Sequence, residues 1–121
     1  MRPSVITERR RGQRVQARLH VELQVDSTPS EASSTLNISS NGVYFTSRRH
    51  IAPLTKLGLR LLLPGEASDG ADEPVDCQGV VVRCLPEEPQ AGVEQYEVAC
   101  YFTDTDEDFK ERISSYVQKH L

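Results

Sequence analysis

Tryptophan is absent from this 121-residue chain, methionine occurs once, and aromatic residues make up 6%. Gly and Pro contribute seven each and hydrophobic residues only 37%, which suits a loop-rich domain of short strands better than a helix bundle. Long apolar runs are also missing. The longest pure one, Leu61-Leu62-Leu63, stops at Pro64, so membrane insertion is not expected. Residues 1 to 8 lack the apolar core of a signal peptide, and a cytoplasmic location is expected. Cys77, Cys84 and Cys100 are odd in number and lack close Cys/His pairing, which argues against a disulfide framework, a metal site or a metal cofactor. His20, His50 and His120 are scattered and no Ser or Cys lies in a nucleophile elbow, so no enzyme is expected. The length fits one domain.

Charge is unevenly distributed. The first twenty residues hold six Arg and one Glu, a balance of +5; the whole chain is −4, so residues 21 to 121 carry −9. Binding to a nucleic-acid polymer favours a broad basic face, whereas a basic arm on an acidic body points to a small anionic ligand. The run Glu8-Arg9-Arg10-Arg11-Gly12-Gln13-Arg14 has neither strand nor helix periodicity, and residues 1 to 14 are expected to form a flexible arm that orders around a partner.

Residues 15 to 121 read as one β domain. From Val15 to Val25 the chain alternates strictly, with Val15, Ala17, Leu19, Val21, Leu23 and Val25 on one face, which predicts a half-buried strand. A polar loop is expected over 26 to 34, then a strand at 35 to 38, a tight Asn41-Gly42 turn in which both residues tolerate positive φ, and a strand at 43 to 47. Further strands are expected at 56 to 63, 75 to 85 and 95 to 103, although Val80-Val81-Val82 is too continuous for one buried face. Short strands punctuated by Gly and Pro argue for an antiparallel barrel or sandwich. The period then changes. Phe109, Ile113, Tyr116, Val117 and Leu121 form a helical stripe, predicting a C-terminal helix at about 105 to 120 capped by Thr105 or Asp104.

Two short patterns carry the chemistry. Arg10 and Arg14 give Arg-x-x-x-Arg, and Asn37, Ser39 and Gly42 give Asn-x-Ser-x-x-Gly, with the alternating strand between them. A guanidinium can fork onto guanine O6 and N7, stack on a purine or pair with phosphate, and Asn37 and Ser39 offer short polar groups to base edges and phosphate oxygens. Either pattern alone is mostly a solvated arm or an ordinary turn; their order and the Val43-Tyr44-Phe45 strand that follows make the combination specific.

At these residues the chain resembles the PilZ domain family, bacterial receptors for cyclic di-GMP. The resemblance covers nearly the whole chain and implies a six-stranded antiparallel β-barrel with one C-terminal helix. It also implies that the arginines grip guanine and phosphate while the Asn37, Ser39 and Gly42 corner holds the other side. Asn37 stands where Asp is commoner, which the pattern permits. An additional Arg9 is placed to contact a second nucleotide, so two ligand molecules per chain are expected rather than one. The expected function is a non-enzymatic receptor or adaptor that couples arm ordering to an unidentified effector protein. Its alternatives are a nucleotide-independent interaction module in pilus or motility regulation and a small RNA-binding barrel, the latter disfavoured by the acidic body.

Overall fold

The computed structural model describes residues 14–25, 30–65 and 72–121. Strand segments β1 (Val15–Gln16), β2 (His20–Gln24), β3 (Glu31–Ile38), β4 (Gly42–Ser47), β5 (Lys56–Leu63), β6 (Glu73–Leu85) and β7 (Tyr96–Thr103) precede a helix, α1 (Glu107–Lys119). All pairings are antiparallel, in the order β1-β3-β2-β5-β6-β7-β4, and a β3–β4 pairing closes the sheet. β1 and β2 both pair with β3, so they are one strand interrupted, and the architecture is a six-stranded antiparallel barrel plus one C-terminal helix, as expected. The arm expected over residues 1 to 14, including Arg9 and Arg10, lies outside the described residues apart from Arg14.

The interruption has an identifiable cause. β3 carries a register shift between Thr35 and Asn37, and the buried Thr35 hydroxyl inserts into the first strand, accepting from the Leu19 N–H at 2.8 Å and donating to the Ala17 carbonyl. Val15, Ala17, Leu19, Val21 and Leu23 nevertheless all point inward, so the alternation survives although the ladder breaks. β3 starts at Glu31, not at 35, which corrects the expected loop. Glu31 is buried, with its carboxylate accepting the Arg48 N–H at 2.8 Å and lying 3.5 Å from the Arg49 guanidinium. A polar composition thus concealed strand residues that pair with β2.

The shift in β3 decides where the functional face looks. Thr35 pairs with Phe45 and Ile38 with Val43, all four facing the core, so the extra residue between them turns Asn37 outward opposite Tyr44. A second shift, between Val81 and Arg83, accounts for the three valines: Val81 is buried, and Val82 is outward and exposed.

α1 begins about two residues later than expected. Asp106, not Thr105 or Asp104, is the N-cap, its side chain accepting the Phe109 N–H at 2.8 Å. Asp104 instead takes a left-handed φ of 50° where β7 ends. Phe109, Ile113 and Val117 are buried, and Phe109 packs edge-on against Phe102 of β7 with ring centroids 5.1 Å apart. Leu121, expected in the stripe, is exposed beyond the helix end.

Candidate functional site

The two sequence patterns meet at β3. Arg14, immediately before β1, donates from Nη1 to Asn37 Oδ1 at 2.8 Å. A guanidinium has only donors, so the amide oxygen faces Arg14 and the two Nδ2 hydrogens remain for a partner. An Asp at this place would neutralise the arginine; the neutral Asn37 leaves the charge of Arg14 uncompensated by this contact. Gln16, Asn37, Tyr44, Ala99 and Arg83 form one outward row across β1, β3, β4, β7 and β6. Arg83 also points outward, but β6 is three strands from β3 in the six-strand ring, so it lies on the opposite side of the barrel from Asn37.

The 39 to 42 corner is built differently from expectation. Ser39 is 1% exposed, and its hydroxyl accepts the Asn41 N–H at 3.1 Å and the Gly42 N–H at 3.2 Å while facing the Gly42 carbonyl at 3.4 Å. A hydroxyl has one donor and two acceptor sites, so this turn takes up its capacity. The Ser39 hydroxyl thus shapes the corner from within the turn. The expected reason for Gly42 is corrected. Neither Asn41 nor Gly42 has positive φ. Glycine is required because a Cβ at position 42 would sit 2.4 Å from the Cys100 carbonyl oxygen of the adjacent strand.

Two grooves flank the Arg14–Asn37 pair. One, of about 810 Å³, is lined by Arg14, Ser39, Ser40, Asn41, Tyr101 and Phe102, with Thr105, Lys110 and Ser114 on its helix side. The other, of about 570 Å³, involves Arg18, Asn37, Tyr44 and Glu97. The Asn41 carbonyl accepts the Phe102 N–H at 2.9 Å, tying the corner to the end of β7. Sequence reading missed the helix residues, because no local signal reports which side of a helix faces a groove. Tyr101 was readable as outward from the alternation of β7 and is 55% exposed. A separate cavity of about 350 Å³, near Glu73, Arg112 and Tyr116, contains none of the predicted residues.

Nucleophilic chemistry finds no support in the cysteines. All three are free and buried, and burial pushes the thiols of Cys77 and Cys100 up to about 12, keeping them protonated near neutrality. Among the described residues no His/Cys/Asp/Glu group has metal-binding geometry, and no helix is long and apolar enough to cross a membrane.

The PilZ domain model matches residues 8–119. The chain belongs to the PilZ domain family. PilZ domains are generally non-catalytic receptors, and the family typically binds cyclic di-GMP. Among solved structures, this PilZ domain resembles the Bacillus subtilis inhibitor of motility MotI/DgrA, with a TM-score of 0.73 and 18% identity over 92% of this chain and 50% of that one. The K. pneumonia MrkH–c-di-GMP complex matches with a TM-score of 0.65 and 17% identity, covering 92% of this chain and 51% of MrkH. The PilZ domain with c-di-GMP of YcgR from Escherichia coli gives 0.61 and 9% identity, covering 93% and 91% of the respective chains. The chain thus spans about half the length of MotI/DgrA and MrkH, and at these identities the likeness establishes the fold. Comparison with curated protein sequences finds no match.

Proposed function

We propose that this PilZ domain is a non-enzymatic cytoplasmic receptor for cyclic di-GMP, bound between the arginine arm and the Asn37, Ser39 and Gly42 corner. The observation that carries the reading is the 2.8 Å bond from Arg14 to Asn37, which joins the second arginine of one pattern to the first residue of the other beside an open groove. Arg14 keeps donors for phosphate or guanine, and Asn37 keeps its Nδ2 hydrogens for a base edge or phosphate oxygen. Ser39 and Gly42 act by holding the corner against β7. Structures of similar fold are described as c-di-GMP complexes, MrkH and the YcgR PilZ domain among them, which supports the choice of ligand.

In this reading Arg9 and Arg10 close over the nucleotide as the arm orders, Arg9 contacts a second molecule, and the ordered arm becomes the surface that an effector protein reads. Calorimetric titration with cyclic di-GMP tests it. Arg10→Ala and Arg14→Ala should each weaken binding by about 10- to 150-fold, corresponding to about 1.5 to 3 kcal/mol, with unchanged circular dichroism. Arg9→Ala should lower the stoichiometry from about two to about one. Wild-type protein that binds no cyclic di-GMP would favour the nucleotide-independent interaction module instead.

A further inference from the structure

The larger groove has two walls, and only one belongs to the two sequence patterns. Its far wall is Thr105, Lys110 and Ser114, placed there by the docking of α1 through Phe109, Ile113 and Val117. Lys110 and Ser114 are one helical turn apart and lie on one side of α1. The acidic residues of the helix are directed elsewhere: Asp108 lies 3.8 Å from Arg112 and Glu111 borders the separate cavity. Asp106 is engaged in capping Phe109, and neither it nor Glu107 lines the groove. Lys110 is exposed and forms no ion pair with another described residue. Arg14 lines the same groove, and its described partner is the neutral Asn37 amide. In a chain of net charge −4, two cations with no ion-pair partner among the described residues thus line one groove, and no described carboxylate lines it.

We infer that α1 is part of the nucleotide site, with Lys110 contacting a phosphate of the ligand in the groove that Arg14 also lines. The inference rests on the reading of this groove as the cyclic di-GMP site and extends it to an element outside both sequence patterns. A ligand with two phosphates matches two cations that line one groove, and a lysine suits the role because its ammonium is a compact charge with rotatable donors. Engagement of Lys110 also links the nucleotide to the helix, so occupancy is registered by α1 as well as by the arm. Bound ligand should then slow hydrogen exchange in the first two turns of α1.

The test is calorimetry with cyclic di-GMP on wild type, Lys110→Gln, Lys110→Arg and Arg14→Ala, at low and at moderate salt. Lys110→Gln should bind about 5- to 30-fold more weakly and show a smaller salt dependence, whereas Lys110→Arg should stay within about threefold of wild type. Ligand-induced slowing of exchange over residues 107 to 114 should be present in wild type and reduced in Lys110→Gln. If Lys110→Gln binds like wild type while Arg14→Ala loses affinity, the helix is not part of the site and the receptor reading stands. If wild type itself binds no nucleotide, both are overturned.

Discussion

Replacing Gly42 by alanine separates two explanations of the same residue, a turn that needs positive φ and a strand that needs close approach. The Cβ would lie 2.4 Å from the Cys100 carbonyl oxygen, and 3.3 Å from both the Cys100 carbonyl carbon and the Tyr101 Cα. All three are backbone atoms, so no side chain can rotate away, and β4 must separate from β7. Overpacking of this kind costs roughly 1 to 3 kcal/mol. The neighbouring bond from Phe102 N–H to the Asn41 carbonyl, now 2.9 Å, would lengthen toward loss, worth about 1 kcal/mol more. Against this, alanine restricts the unfolded chain and regains about 0.5 to 1 kcal/mol. The net expectation is about 2 kcal/mol of destabilisation, which at a urea slope of roughly 1 to 1.5 kcal/mol/M lowers the midpoint by about 1.3 to 2 M. Gly58→Ala is the matched control, because its Cβ would meet only Gln24, at 3.8 Å, an ordinary contact. It should remain within about 0.5 kcal/mol of wild type or gain stability. A Gly42→Ala protein as stable as Gly58→Ala in urea unfolding would refute the close-approach argument.

Other expectations follow from the same geometry. Ser39→Ala removes the acceptor for two backbone N–H groups and should cost about 1 to 2 kcal/mol in denaturant unfolding; a loss of ligand affinity with unchanged stability would instead make Ser39 a direct contact. Asp106→Ala removes the side chain that caps α1 and should cost about 1 kcal/mol, visible as reduced helical signal and a lower melting temperature. Burial pushes the Cys77 and Cys100 thiols up to about 12, whereas an unfolded thiol titrates near 8.5. The folded value is the higher one, so the unfolded state releases its protons first. Stability is then unaffected below about pH 8 and falls as pH rises toward 12, by about 1 to 2 kcal/mol per thiol at pH 10. Unfolding under reducing conditions at pH 7.5 and pH 10 measures the drop, which should be smaller in Cys100→Ala; a wild type equally stable at both values would contradict it.

Local periodicity determined the faces of the barrel and the stripe of the helix. The alternation of Val15 to Leu23 and of Tyr96 to Phe102, and the helical spacing of Phe109, Ile113 and Val117, are properties of single segments, set by the repeat of a strand or helix. The two patterns, and hence the family and its expected ligand, were legible for the same reason: each is a short run of residue types. What tertiary structure alone decided depends on a second strand or on docking. The register shift in β3 turns Asn37 outward because Thr35 and Ile38 must both face the core. The N–H groups of Asn41 and Gly42 take up the Ser39 hydroxyl that spacing alone offered to phosphate, and the Cys100 carbonyl, nearly sixty residues away along the chain, is why position 42 has no side chain. Lys110 carries no local mark at all. It faces the groove because the buried stripe fixes the rotation of α1 against the barrel, a constraint that exists only once the strands have closed.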